Sequence, residues 1–341
     1  MSEKILEVKN LKTSFFTHVG EVEAVRGISY SMEKGEALGI VGESGSGKSV
    51  SLMSVLQLVQ KPGKIKSGEI IFQGQDLTKL NEKELRKIRG NKISMIFQDP
   101  MTSLNPVYRI GNQIIETIRA HQNISQKEAQ VKAVELLRQV GIPSPEKRIN
   151  NYPHEFSGGM RQRAMIAMAL ACKPELLIAD EPTTALDVTI QAQILRLMKD
   201  IKEKENASVI LVTHDLGVVA EICTRVIVMY GGLIMEEGEL RDIFYRPSHP
   251  YTVGLLKSVP RINKNVKTRL VPIQGAPPDM VNMKPGCPFA PRCPHTMQIC
   301  LEQIPDRFKV SEKHSSACWL CHPDAPKVDI TSELEVGSSG R

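Results

Sequence analysis

The chain has 341 residues, with 44 Lys or Arg against 38 Asp or Glu and a formal net charge of +6. That length suffices for about two domains with cores of their own. The near balance of charge, with pI near 8.8, excludes a dedicated nucleic-acid binder and leaves at most a weak preference for anionic partners. The opening M-S-E-K-I-L-E-V-K-N carries no apolar signal core, and no window reaches the roughly 18 apolar residues of a spanning helix. The expected protein is cytosolic, with any membrane role carried by a partner.

Two strands come first, I-L-E-V-K-N-L-K-T-S-F and A-V-R-G-I-S-Y-S-M, rich in β-branched and aromatic residues. A third, A-L-G-I-V-G, runs directly into Gly42–Ser49, G-E-S-G-S-G-K-S, which fits G-x-x-x-x-G-K-[ST] at every position. A periodic apolar helix is expected to come next, to about Leu58. Strand, glycine loop and helix in that order make the context of a phosphate loop. Glycines let successive backbone N–H groups turn inward on a phosphate, and the helix N-terminus adds partial positive charge. The candidate ATP contacts are Gly42, Glu43, Ser44, Gly45, Ser46, Gly47, Lys48, Ser49 and Val50. Lys48 would reach the β- and γ-phosphates, and the Ser49 hydroxyl would bind Mg²⁺.

Residues 99–160 have a different character and read as a small helical subdomain. A Ser125–Glu128 capping box opens a helix that ends near Gly141, with Val131, Val134, Leu136, Leu137 and Val140 as its expected core residues. F-S-G-G-M-R-Q-R, Phe156–Arg163, then places Ser157, Gly158, Gly159 and Met160 at a second glycine-rich helix entrance of the kind that grips anions. L-L-I-A-D-E, Leu176–Glu181, is an apolar strand ending in two carboxylates. Asp180 is the candidate Mg²⁺ ligand and Glu181 the candidate base for an attacking water. S-V-I-L-V-T-H-D delivers His214 to the carboxyl end of another buried strand, where a γ-phosphate contact and a structural role are both open.

Five of the seven cysteines, Cys287, Cys293, Cys300, Cys318 and Cys321, crowd the last sixth of the chain, while Cys172 and Cys223 lie in apolar segments. In a cytosolic chain this favours metal or redox chemistry over disulfides. Only Cys318 and Cys321 offer the close pair that structural zinc prefers, so spacing leaves free thiols, zinc and an iron–sulfur cluster open. The basic positions Lys257, Arg261, Lys264, Lys267 and Arg269 read as a solvated linker face or a contact for anionic lipid headgroups or a permease loop. Residues 331–341 read as a disordered tail.

The phosphate loop, F-S-G-G-M, L-L-I-A-D-E and T-H-D, in that order, resemble the ATP-binding subunit of an ATP-binding-cassette (ABC) transporter over roughly residues 5–325. The resemblance implies an α/β fold: a P-loop NTPase (RecA-like) core with an ABC β-subdomain and a helical subdomain, plus a small cysteine-containing C-terminal domain. The implied division is 1–98 and 161–245 for the nucleotide core, 99–160 for the helical subdomain and 246–330 for the C-terminal region. It implies that two nucleotide domains pair head to tail, with Ser157, Gly158, Gly159 and Met160 capping the ATP held by the partner. Gln98 matches the loop that senses Mg²⁺ and the transmembrane partner, Leu186 and Asp187 match a loop at the dimer interface, and Phe15 or Phe16 would stack on adenine.

Q-D-P-M-T-S-L-N-P, Gln98–Pro106, and the sequence around Met160 are similar to the dipeptide and oligopeptide importers and their nickel-carrying relatives, in the first of their two non-identical ATPase subunits. That similarity implies a sister ATPase, two permease subunits, an extracytoplasmic peptide-binding protein and a peripheral place on the cytoplasmic side of the membrane. A homodimer is allowed in isolation. It also implies a 4Fe-4S cluster on Cys287, Cys293, Cys300 and Cys318, with Cys321 a substitute for the last. A soluble ABC-type ATPase acting on nucleic acid or the ribosome is the alternative; a single cassette and 4% aromatics speak against it.

Overall fold

The computed structural model describes residues 3–184, 187–258, 272–281 and 283–332. Arg261, Lys264, Lys267 and Arg269, together with Leu186 and most of the terminal tail, lie outside them. The chain forms two compact units, one of Met1–Ile5, Met32–Ala37 and Phe72–Val212, the other of Leu6–Ser31, Leu38–Ile71 and Thr213–Arg341.

In the first unit, three short strands, Ile93–Ile96, Leu176–Asp180 and Ser208–Thr213, run parallel in register from Ile93 opposite Leu176 and from Leu176 opposite Ser208. Every residue of Leu176–Asp180 and Ser208–Thr213 is buried. Continuous apolar runs of this kind are what a parallel strand covered on both faces requires. The 18-residue helix Val188–Glu205 makes the crossover between these two strands. Asp187 caps it, accepting from the Ile190 N–H at 3.0 Å. The expected helical region contains Ile110–His121, packed through Ile110, Ile114, Ile115 and Ile118, and Gln126–Gln139.

The Ser125 capping box is formed on both sides, with the Glu128 carboxylate taking the Ser125 N–H at 2.8 Å. The buried face of the helix it opens differs from the sequence expectation. Val131 is 66% exposed and Val134 and Leu136 are half-buried, whereas Ala129, Ala133, Leu137 and Val140 are buried. Small alanines at i and i+4 let the helix approach its neighbours closely, and Val131 lies about 200° around from Ala133 on the opposite side.

In the second unit, one sheet has the order Gly20–Glu33, Lys4–Thr17, Gly63–Phe72. Another carries Ala37–Val41 parallel to Arg225–Tyr230, Leu38 opposite Arg225 and Val41 opposite Val228. From Tyr230 the chain reverses through Gly231 and Gly232, both at positive φ, into the antiparallel strand Leu233–Glu239. The cysteine-bearing region extends this sheet: His314–Ser316 pairs with Leu233–Glu239, and Phe308–Ser311 pairs with His314–Ser316. Among the described residues no helix is long and apolar enough to cross a membrane.

Candidate active site

The phosphate loop belongs to the second unit, between Ala37–Val41 and the helix Lys48–Val55. Its glycines answer to close backbone approach as well as to conformation. A Cβ at Gly42 would lie 2.2 Å from the Met229 carbonyl oxygen, and one at Gly47, where φ is 96°, would lie 2.3 Å from that of Ala24. Either contact is far inside van der Waals separation, so only glycine keeps the loop pressed onto its neighbours. Lys48, 5% exposed, curls its ammonium back into the loop, donating to the carbonyls of Gly42 at 2.7 Å and Glu43 at 2.9 Å. The Ser46 hydroxyl lies 3.4 Å from the same ammonium.

Ser44, Gly45 and Ser49 are exposed along the loop, Ser46 is buried and Val50 is half-buried. The next helix ends at Val55, earlier than the expected Leu58. Gln57 adopts φ 54°, and the Leu58 N–H returns to the Met53 carbonyl, a left-handed C-terminal stop that ordinary helix propensity gives no sign of. His214, also in this unit, is exposed after Ser208–Thr213. Of the two candidate adenine platforms, Phe15 is half-buried and packed so closely on Gly63 that a Cβ there would meet its ring at 2.7 Å, whereas Phe16 is 47% exposed.

Gln98, Asp180 and Glu181 belong to the first unit. The Gln98 amide donates to the Glu181 carboxylate at 2.9 Å, and the Thr184 hydroxyl donates to the same oxygen at 2.9 Å. Glu181 has φ 46°, a left-handed conformation uncommon for a side chain of its size, with its N–H given to Val212 at 2.8 Å. Such a conformation persists only where its surroundings hold it, and it recurs at functional positions. Asp180 is 5% exposed at the carboxyl end of its strand. Asp180, Gln98 and the Ser49 hydroxyl are hard oxygen donors, the chemistry that Mg²⁺ selects.

Ser157 caps the helix Gly158–Ala169, its hydroxyl 3.4 Å from the Met160 N–H. Ser157 and Gly158 are exposed, and a Cβ at Gly158 would meet open space. A Cβ at Gly159 would instead lie 3.1 Å from the Ile190 side chain. The entrance to this helix is thus accessible, with the Gln162 amide tying its first turns to the Pro182 carbonyl at 2.7 Å.

The cysteine region is folded through backbone contacts, the Cys287 N–H meeting the Cys300 carbonyl at 2.8 Å and the Cys293 N–H that of Ala290 at 3.2 Å. Burial pushes the Cys287 thiol up to about 11, with the neighbouring Cys300 and Cys293 adding to the rise. Burial raises Cys318 as well, with Cys321, Cys287 and Cys293 contributing, so the expected ligands are electrostatic neighbours. They are not a formed ligand set: among the described residues no three or more His, Cys, Asp or Glu are grouped to hold a metal ion. The thiols adopt positions set by the surrounding turns.

Some contacts at the phosphate loop have no sequence signature. The Glu43 N–H donates to the Tyr251 hydroxyl at 2.8 Å, and the Arg292 guanidinium grips the Glu43 carboxylate with both of its NH₂ groups. Arg292 is 249 positions away along the chain, beyond the range at which spacing carries information.

Comparison with known proteins agrees with these motifs. The model of the ABC transporter family matches residues 25–184, and that of the oligopeptide/dipeptide transporter C-terminal region matches 235–300. The oligopeptide transport ATP-binding protein OppD of Bacillus subtilis (strain 168) is 57% identical over 327 residues, covering 96% of this chain and 91% of that protein. The dipeptide transport ATP-binding protein DppD of the same organism is 54% identical, covering 93% and 95% respectively. Among solved structures, the dimeric post-hydrolysis state of the ATP-binding cassette MJ0796 bound to ADP and Pi is 30% identical, with a TM-score of 0.64, covering 69% of this chain and 99% of that one. The chain belongs to the ABC transporter family, among the ATP-binding subunits of its oligopeptide and dipeptide branch.

Proposed function

We propose that this protein is the ATP-hydrolysing subunit that powers import of di- or oligopeptides through a membrane permease. The observation that carries the reading is the phosphate loop: two glycines that admit no Cβ, and a buried lysine ammonium held within the loop. Backbone N–H groups and the helix N-terminus bind the phosphates, and Lys48 follows the charge that develops on the transferred phosphoryl. Ser49, Asp180 and Gln98 would hold Mg²⁺, which would supply charge neutralisation on the phosphate oxygens. Glu181 accepts the proton of the attacking water. His214 contacts the γ-phosphate, and Phe16, the more exposed phenylalanine, stacks on adenine.

Ser157, Gly158, Gly159 and Met160 cap the nucleotide of a second ATPase subunit, with Leu186 and Asp187 at the same interface. The accessible helix entrance at Gly158 supports this role, since N–H groups of a first helical turn can reach an anion that arrives from outside the subunit. The complete assembly adds a sister ATPase, two permease subunits and an extracytoplasmic peptide-binding protein, with this chain peripheral on the cytoplasmic face. Four cysteines, Cys287, Cys293, Cys300 and Cys318, would hold a structural 4Fe-4S cluster after local rearrangement. Iron and sulfide in anaerobically purified protein test this directly; zinc or no metal refutes it.

The function is tested by uptake of labelled dipeptide, longer oligopeptide and nickel in cells lacking the native subunit, complemented with this chain or its Lys48→Ala variant. Peptide uptake that requires Lys48 is expected. Nickel uptake without peptide uptake would reassign the cargo, and no uptake of either would remove the importer reading.

A further inference from the structure

The P-R-C-P turn of the cysteine segment places Arg292 in an enclosed pocket, its side chain 4% exposed. All five guanidinium N–H donors are engaged. Nε donates to the Gln274 carbonyl at 2.9 Å, and one terminal nitrogen donates to the Glu43 carboxylate and to the Tyr230 hydroxyl, at 3.1 Å for the latter. The other donates to the second Glu43 oxygen at 3.1 Å and to the Ile273 carbonyl at 3.1 Å. Phe289, three residues earlier and 2% exposed, packs edge-on against Tyr230 with ring centroids 5.3 Å apart. The segment is therefore anchored beside the phosphate loop by one ion pair and one ring.

Glu43 is the loop's second residue, and all of its polar groups are engaged. Its carboxylate meets Arg292, its N–H meets Tyr251, and its carbonyl takes the Lys48 ammonium. A carboxylate in this position opposes phosphate binding unless a cation neutralises it, because the two anions repel and the Glu43 side chain is only 27% exposed. The bidentate guanidinium cancels that charge and fixes the loop at one geometry.

We propose that Arg292 is a positioning residue for the phosphate loop, neutralising and orienting Glu43 so that ATP affinity depends on the folded cysteine segment. The inference rests on the nucleotide site assigned above. It makes the C-terminal segment a reporter to the motor: whatever unfolds the P-R-C-P turn releases Glu43 and weakens ATP binding without touching Lys48 or Ser49.

The test is equilibrium titration of the full chain with Mg-ATP, with steady-state hydrolysis alongside, for Arg292→Gln, Glu43→Gln and the double variant. Arg292→Gln is expected to weaken ATP binding about tenfold and to raise KM in parallel, with kcat changed less than about twofold. Adding Glu43→Gln removes the uncompensated carboxylate and is expected to recover most of the loss, a rescue that a merely structural role for Arg292 would not show. ATP binding within twofold of the parent in Arg292→Gln, or a double variant no tighter than Arg292→Gln alone, overturns the proposal. Should Arg292→Gln fail to fold, Arg292→Lys carries the test: it keeps charge but loses the fork, so about threefold weaker binding is expected and unchanged binding overturns the proposal. Lys48→Ala separates the two levels. If it binds ATP as the parent does, the nucleotide site itself is misassigned; if it loses ATP while Arg292→Gln does not, only the positioning role falls.

Discussion

The phosphate loop and the cysteine segment meet at Glu43, yet they are built on opposite principles. Residues 42–49 are held by what they lack: glycine Cβ atoms whose presence would strike the Met229 and Ala24 carbonyls. The cysteine segment is held by large side chains, Phe289 among Tyr230, Tyr251 and His249, and Arg292 on Glu43. A site made of backbone N–H groups needs its neighbours close. A segment with little regular structure needs anchors that bury much area per residue. The two should therefore fail in different ways.

The largest expected effect is in the segment. Phe289→Ala removes a 2% exposed ring that contacts three others, at centroid distances of 5.2–5.9 Å. Truncation of a buried Phe costs about 3–5 kcal/mol. Chemical denaturation should show this loss, and the ATP affinity of the folded fraction should drop because Arg292 loses its support. If stability falls by less than about 1 kcal/mol, the cysteines rather than the ring hold the segment together.

The next effect runs through pH. His249 is fully buried at the start of the helix Pro250–Lys257, and desolvation lowers its pKa to about 3. Its Nδ1 accepts the Tyr251 N–H at 3.0 Å, so protonation would set a donor against a donor. Because the folded pKa lies below the unfolded one, the unfolded chain binds more protons between about pH 6.5 and 3. The neutral imidazole contributes its full stability above about pH 6.5, and that contribution is lost as pH falls toward 3, by about 3 kcal/mol at pH 4. His249→Asn keeps a capping acceptor without titrating there, so its stability should fall less steeply between pH 7 and 4. An unchanged slope would assign acid sensitivity to other groups. Tyr251 carries the consequence to the loop, since the same helix presents its hydroxyl to the Glu43 N–H.

These contacts also mark what was legible in the sequence. The phosphate loop, the F-S-G-G-M helix entrance and the acidic strand end are contiguous strings whose chemistry depends on neighbouring backbone groups, so reading them requires no knowledge of the fold. The Gln98–Glu181 hydrogen bond spans 83 positions and the Arg292–Glu43 pair 249, and nothing in either local stretch names its partner. The left-handed backbone of Glu181 was equally hidden, since tertiary packing imposes it on a residue with no preference for it. In the helix Gln126–Gln139, hydrophobicity pointed to Val131, but close packing favoured Ala129 and Ala133. Spacing could not choose between Phe15 and Phe16 either; the strand packed against Gly63 separates them.

The smallest expected effect on stability falls on the loop, and it is the most direct test of the contrast. Gly47→Ala adds a single methyl where φ is 96° and where the Ala24 carbonyl oxygen would lie 2.3 Å away. The backbone must yield, because neither the left-handed conformation nor the contact with a carbonyl can be relieved by rotating a side chain. Strain of this kind costs about 1–2 kcal/mol, less than losing Phe289, since the loop can move toward solvent through the exposed Ser44 and Gly45. That movement carries the N–H groups and Lys48 away from the position that binds phosphate. The expected result is a modest fall in melting temperature with at least a tenfold loss of ATP affinity, the reverse of the balance expected for Phe289→Ala. Equal affinity in Gly47→Ala and the parent would mean that the loop reaches its phosphate-binding geometry without this close approach, and the distinction between a region held by absence and one held by anchors would fail.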